Sequence, residues 1–441
     1  MNKITTRFLK SLQAFRQRAL KRLGIGLLCL PLLSGCGSPL ADGEGIPRQS
    51  IYQHDLHRQE DETIVLSIYY GTIHNAPMMD AIARDYEEQT GVRVEWQAAD
   101  GGGVILRGMF ALDKAPDLFQ LTLSDLAIWE EYLADLSSQP WVEDIYDFAL
   151  ETAKVNGSIY SWPHTLEASG IVYNRDLFAE AGIENVPRTL NELWAVVYQL
   201  EEAGIQSFGE SWMQFGYLAH LLSVPFNYEP DVAAISEDIL RGRASFGDLR
   251  YINQYFEIFN MTIDYGWGQK SLGYNTLDQH PDFAAGRMAM MKQGTWVEGR
   301  VSLYNEDINM GLFPVPISNN PHRNKLQVAT TTGISVNRES ENIEAALDFL
   351  NWWHENAEKY LVEIDGVVPP FKSVDISALG NLNQDMGRYI EEGMAFEGFG
   401  WEHWPQGFMV QAAEPLQAYA AGLQTQRETI TWLDSLYRTL R

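Results

Sequence analysis

The residues best suited to chemistry in this chain are a thiol, some polar side chains and some indoles. Cys36 closes the tetrapeptide Leu33-Ser34-Gly35-Cys36 at the end of an apolar run. Tyr70 and Gln120 fall near the ends of expected strands, Asp125 lies in the segment after Gln120, and Asp100 precedes Gly101-Gly102-Gly103. Trp267 stands between Gly266 and Gly268, and Trp296 ends Gly294-Thr295-Trp296. Trp401 and Trp404 share the Gly- and Pro-bounded stretch 398–405. Carboxylates accept from hydroxyls, amides donate and accept, and an indole offers an apolar face with a polar handle. Together they suit a ligand with hydroxyls around its edge and C–H bonds on its faces. Strand ends face the crevice in open α/β sheets, which favours Tyr70 and Gln120. Each candidate also has a plain structural role: Tyr70 as core, Asp100 as a turn, Asp125 as a helix cap and Trp296 as packing.

Catalysis finds little support. Gly-x-Ser-x-Gly and His-Glu-x-x-His are both absent, and with 59 acidic residues a pair of carboxylates carries no information. The 9 histidines form no tight ligand cluster with acids, and no EF-hand loop occurs, so neither a metal nor another cofactor is expected. The formal net charge of -27 disfavours nucleic acid and anionic lipid as partners.

The first 35 residues read as an export signal. Lys3, Arg7, Lys10, Arg16, Arg18, Lys21 and Arg22 precede the apolar run Leu23–Leu33, with no acid among them. The run is too short to cross a bilayer comfortably. Leu33-Ser34-Gly35-Cys36 resembles the bacterial lipobox, which implies cleavage before Cys36 and a lipid on its sulfur. Cys29 is then removed with the leader, so no disulfide supports the mature chain, and its stability rests on packing. Residues 36–62, with Gly43, Gly45 and Pro47, read as a tether.

The remaining pattern alternates strand and helix. Strands are expected at Thr63–Tyr70, Val92–Trp96, Asp117–Leu121, Ile171–Tyr173, Met288–Met291, Met310–Val315 and Gly333–Val336. Helices are expected at Pro77–Gln89, Asp176–Ala181, after Thr189, within 247–265, at Pro281–Arg287, Ile343–Trp353, 382–393, 407–421 and 426–438. This alternation argues an α/β domain with a largely parallel sheet.

Several segments, in order, resemble the bacterial extracellular solute-binding proteins of carbohydrate ABC importers, the group that includes maltose-binding protein. They are Tyr86–Val94, Ala115-Pro116-Asp117-Leu118, Asn156–Pro163, Val172–Phe178, Phe283–Met290 and Gly294-Thr295-Trp296. The resemblance implies a periplasmic-binding-protein-like clamshell of two α/β lobes (type II). Residues 63–165 plus 297–334 would form lobe one, and 166–296 plus 335–441 lobe two. Hinge crossings would fall near Pro163, Gly294 and Gly333. Glu167 and Trp212 join the ligand candidates on this basis, and one of Trp401 and Trp404 is expected to stack on ligand. The implied partners are a carbohydrate, the transmembrane subunits of an ABC permease, and a membrane through the lipid. The alternatives are a sugar-sensing or adhesion module of the same fold, or a secreted glycan-active enzyme.

Overall fold

The computed structural model describes residues 63–70, 76–98 and 102–440, so Cys36, the tether and Asp100 lie outside the described residues. The first sheet begins with β1 (Val65–Tyr69), β2 (Arg93–Gln97) and β3 (Leu118–Thr122), with β1 parallel to both of the others. The helix Ala76–Thr90 connects β1 to β2 and turns Met78, Met79, Ile82 and Tyr86 inward. That spacing is one face of a 3.6-residue period. A small hairpin follows, β4 (Lys154–Val155) with β5 (Ser158–Ile159). Then comes β6 (Trp162–Pro163), at the edge of the first sheet.

The second sheet is built around β7 (Leu166–Asn174), a nine-residue strand buried along most of its length. Asn174 ends it and caps the next helix, its side chain accepting from the backbone N–H groups of Asp176 and Leu177. Thr189 caps the helix Leu190–Glu202 by accepting from Glu192 N–H, and Glu192 answers from its carboxylate to Arg188 N–H. One edge of β7 pairs antiparallel with β8 (Met290–Gly294). The other edge pairs with β9 (Met310–Phe313) and β10 (Leu326–Thr330), both antiparallel. β11 (Thr332–Val336) returns to the first sheet between β3 and β6, and β12 (Ala395–Glu397) pairs parallel with β10.

The pairing corrects the expected division of the chain. β9 and β10 belong to the second sheet, although 297–334 was expected in lobe one. The helix Ile343–Glu355, expected in lobe two, packs its Trp353 on Trp162 of the first sheet at 5.0 Å between ring centroids. The chain also does not cross at Gly294, because β8 and the next strand both pair with β7. It passes from first sheet to second between Pro163 and Leu166 and returns at Thr331, one residue before β11. It crosses again between Lys372, whose N–H donates to Asp144 O, and Leu382, whose N–H donates to Glu298.

Two close backbone approaches depend on missing side chains. A Cβ on Gly170 would run into Phe313 O across the β7–β9 pair, and one on Gly333 would meet Ser161 Oγ and Trp162 O. Gly108, on the helix Gly102–Ala111, has open space around the same position. Gly170→Ala should therefore cost about 1–3 kcal/mol through overpacking. Gly108→Ala should stabilise by up to about 1 kcal/mol through helix propensity. Urea unfolding of the two variants checks both signs.

Candidate functional site

A cavity of about 670 Å³ lies between the two sheets' elements, within the range of roughly 300–1,000 Å³ typical of ligand sites. Thr122 through Asp125, Phe148, Glu151 and Thr152 wall it from the side of the first sheet. Ala329, Thr330 and Thr331 form a central strip where the chain crosses. The far wall is 397–409, including Glu397, Trp401, Glu402 and Trp404.

Local structure fixes these side chains. Asp125 precedes the helix Leu126–Trp129 but makes no capping hydrogen bond to it. Its carboxyl pKa is raised by burial, against a smaller opposing pull from Arg107. Trp401 stacks on Phe399 at 4.1 Å and on His220 at 4.4 Å, with interplanar angles of 26° and 20°. His220 is held neutral because burial, and then Lys292, push its pKa down to about 3. Trp404 meets Phe226 and Phe408 at steep angles instead, with ring centroids 5.4 and 5.2 Å away. Its Nε1 is buried and has no protein partner. Thr330 Oγ1 and Glu402 Oε1 share that condition. Burial raises the Glu402 carboxyl to about 7, and a backbone hydrogen bond at Phe399 offsets only part of the shift.

The other sequence candidates take varied places. Tyr70 is core, its hydroxyl 2.9 Å from His164 Nε2, and the Gln120 amide reaches the same ring nitrogen at 3.5 Å. Glu167 accepts from Thr331 Oγ1 at 2.9 Å, so it stands at the crossing beside the central strip. Its carboxyl pKa is raised by burial, against that hydrogen bond and Arg300. Trp212 is 3 % exposed and packs on Phe259, and Trp267 packs on Tyr274. Trp296 donates from Nε1 to Gln293 Oε1 and meets the edge of His220. Of the candidates, Asp125, Trp401 and Trp404 line the cavity.

Sequence reasoning passed over Glu402, His220, Thr330 and Thr331. Glu402 was visible between the two indoles, but one acid among 59 carries no signal by itself. The threonines sit three and two residues before Gly333, in a run that carries no signal of its own. Nothing in the sequence marks His220, which reaches Trp401 only through the fold.

Two open sheets, each covered by helices, with a cavity walled from both, define a two-lobed α/β binding protein of the periplasmic type. The chain matches the bacterial extracellular solute-binding proteins over residues 71–360, and it belongs to that family, whose members bind solutes without transforming them. Among curated proteins it is similar to the multiple sugar-binding protein of Streptococcus mutans, 22% identical over 67% of this chain and 68% of that one. It is also similar to the melibiose/raffinose/stachyose-binding protein MelE of Bacillus subtilis, 21% identical over 48% of this chain and 51% of that one. Among solved structures, apo RafE of Streptococcus pneumoniae superposes with a TM-score of 0.73 at 16% identity, over 87% of this chain and all of that one (100%). A sugar transporter from Bacillus licheniformis in complex with stachyose gives 0.69 at 19% identity, over 86% of this chain and 100% of that one.

The raised Glu402 pKa has a definite consequence for stability. The folded protein holds this proton to about pH 7, whereas a free carboxyl releases it near 4.5. Between those values the unfolded chain binds fewer protons, so the stability contributed at this site falls as pH rises. Glu402→Gln should be neutral at pH 4 and stabilising by about 1–3 kcal/mol at pH 8. Thermal unfolding of both proteins across that range measures the divergence.

Proposed function

We propose that the protein captures a saccharide outside the cytoplasm and delivers it to the transmembrane subunits of an ABC permease, held at the membrane by a lipid on Cys36. The observation that carries this reading is the cavity walled by both lobes. Its lining combines indoles, hydroxyls and carboxylates, the set that a polyhydroxylated ring with apolar faces requires. The names of the relatives from Streptococcus mutans and Bacillus subtilis support the same ligand class.

The mechanism follows from the walls. A ligand touching both 122–125 and 397–409 gains contacts in a closed arrangement that it lacks in an open one. That differential contact shifts the population toward closure. The permease reads the closed form. Trp404 is the stacking platform, because Trp401 is already engaged by Phe399 and His220. Tyr70, Gln120, Glu167 and Trp296 support the site from the crossing region and the two cores. The lipid confines the protein to the surface where the permease lies and raises its effective concentration there.

A thermal-shift panel of mono- and oligosaccharides tests the ligand class. A cognate sugar at 100 times its Kd should stabilise by about 2.7 kcal/mol. Trp404→Ala should weaken that sugar at least tenfold, or by about 1.4 kcal/mol, whereas Trp401→Ala should mainly lower the melting temperature. A clear shift with an amino acid or a cation, and none with any saccharide, would sink the assignment. The anchor is tested separately: Cys36→Ala should move the protein from the membrane fraction to the soluble exterior and abolish labelling by a palmitate analogue. Unchanged labelling would refute lipidation.

A further inference from the structure

The charge lining the cavity is one-sided. Asp125, Glu151, Glu397 and Glu402 contribute carboxylates to it, and among the described residues no lysine or arginine does. Glu151 is paired with Lys154 outside the wall. Asp125, Glu397 and Glu402 have no ion-pair partner within 4.0 Å among the described residues. Arg107, whose guanidinium lies 6.0 Å from the Trp129 ring centroid, acts on Asp125 only at longer range. His403, also in the lining, has its pKa lowered by burial, against an opposing pull from Asp231.

Exposed carboxylates in this arrangement would mean little, because water solvates them and salt screens them. Two of these are different. Glu402 is partly buried, its Oε1 is shielded and without a hydrogen-bond partner among the described residues, and its other oxygen lies against the backbone at Gly398. Asp125 is half-buried and does not spend its carboxylate on the helix it precedes. A buried carboxylate without a counter-charge is costly, and a bound cation offsets that cost. A metal ion is a poor candidate for this role, since no three acidic, histidine or cysteine side chains among the described residues come together to hold one. Positive charge distributed along an extended ligand fits separated carboxylates better.

The geometry points to a cavity that selects an amine-bearing saccharide, with separate protonated amino groups meeting Glu402 and Asp125 on opposite walls, and that rejects saccharides carrying carboxylates. This inference rests on the saccharide reading above and narrows it. The converse follows from the same wall: a uronate would bring a like charge into a site with no cation to receive it.

The test compares four probes by calorimetry at pH 6.5, each at 20 and 300 mM salt: glucosamine oligomers, the same oligomers N-acetylated, galacturonate oligomers, and spermidine; at this pH the empty site holds the Glu402 proton, and an ammonium binding there should release it to buffer. The deacetylated oligomer should bind at least tenfold more tightly than its neutral N-acetyl counterpart at low salt. That preference should shrink at high salt, and galacturonate should not bind. Glu402→Gln should cut the preference to about threefold or less. Asp125→Asn provides a second variant, and circular dichroism checks the folding of both. Equal affinity for the two glucosamine forms, or binding of galacturonate, would overturn the inference and leave the saccharide reading standing. Binding of spermidine with no binding of any saccharide in the wider panel would overturn both.

Discussion

The structure depends on a two-stranded ribbon that runs from one sheet into the other. On the first-sheet side, Trp162 and Pro163 pair with Ile334 and Gly333. On the second-sheet side, Leu166 through Ser169 pair antiparallel with Thr330 through Gln327. The chain therefore crosses twice in opposite directions, with the two crossings side by side and joined by Thr331 donating to Glu167. Buried backbone must find partners, and this ribbon lets both crossings satisfy theirs on each other. Gly333 is the tightest point, because Ser161 and Trp162 occupy the space a side chain would need. Ala329, Thr330 and Thr331 are at once ribbon residues and cavity lining, so any change in the angle between the sheets is felt at the cavity.

The far wall of the cavity depends on a second arrangement, one of rings and buried charge. His220 can stack on Trp401 as a neutral ring because burial and Lys292 both resist its protonation. Lys292 lies in β8, where its Nζ donates to Ser169 Oγ on β7 and its N–H donates to Glu210. Burial weakens the Lys292 charge and raises the Glu210 pKa, and each group's charge partly opposes the other's shift. Such a pair contributes little net stability, but removing one partner strands the other. Lys292 also joins β8 to β7 through Ser169 and adds to the effect of burial that keeps His220 uncharged. The position of Trp401 thus traces back through His220 and Lys292 to the strand that also forms the ribbon.

Much of this was legible in the sequence, and the part that was not has physical causes. β1, the helix Ala76–Thr90 and the capped helix Leu190–Glu202 follow from short-range signals: alternation, helical spacing, and a Thr with an acid three residues on. β10 gave no such signal. Its sequence Leu-Gln-Val-Ala-Thr is buried throughout, and Gln327 is tolerated only because its amide reaches Ser223 and Asn227. Those partners lie about 100 residues away, beyond any local pattern. The crossing near Gly294 was implied by the family resemblance alone, and the pairing of β8 and β9 with the same strand overrides it. For the site, Trp401 and Trp404 stood out by composition, and Asp125 by its place after a strand. Which indole had a partner already, and which acid was buried without one, are properties of packing rather than of spacing.

The acidity of the chain illustrates the same distinction. Fifty-nine acids against 32 bases describe a repulsive, well-hydrated surface, and say nothing about a ligand. Most of these groups sit in water, where their mutual effects are screened within about 8–10 Å. Glu402 is one of the same population, placed over Gly398 with its Oε1 shielded from solvent. Its charge is then no longer a contribution to solubility but an unmet electrostatic demand inside the cavity. Asp125 carries a weaker form of the same demand from the opposite wall. An identical residue type therefore has two meanings, set by its solvation rather than by its sequence neighbours. That is why the composition could disfavour nucleic acid as a partner yet could not show which carboxyl groups are shielded in the cavity.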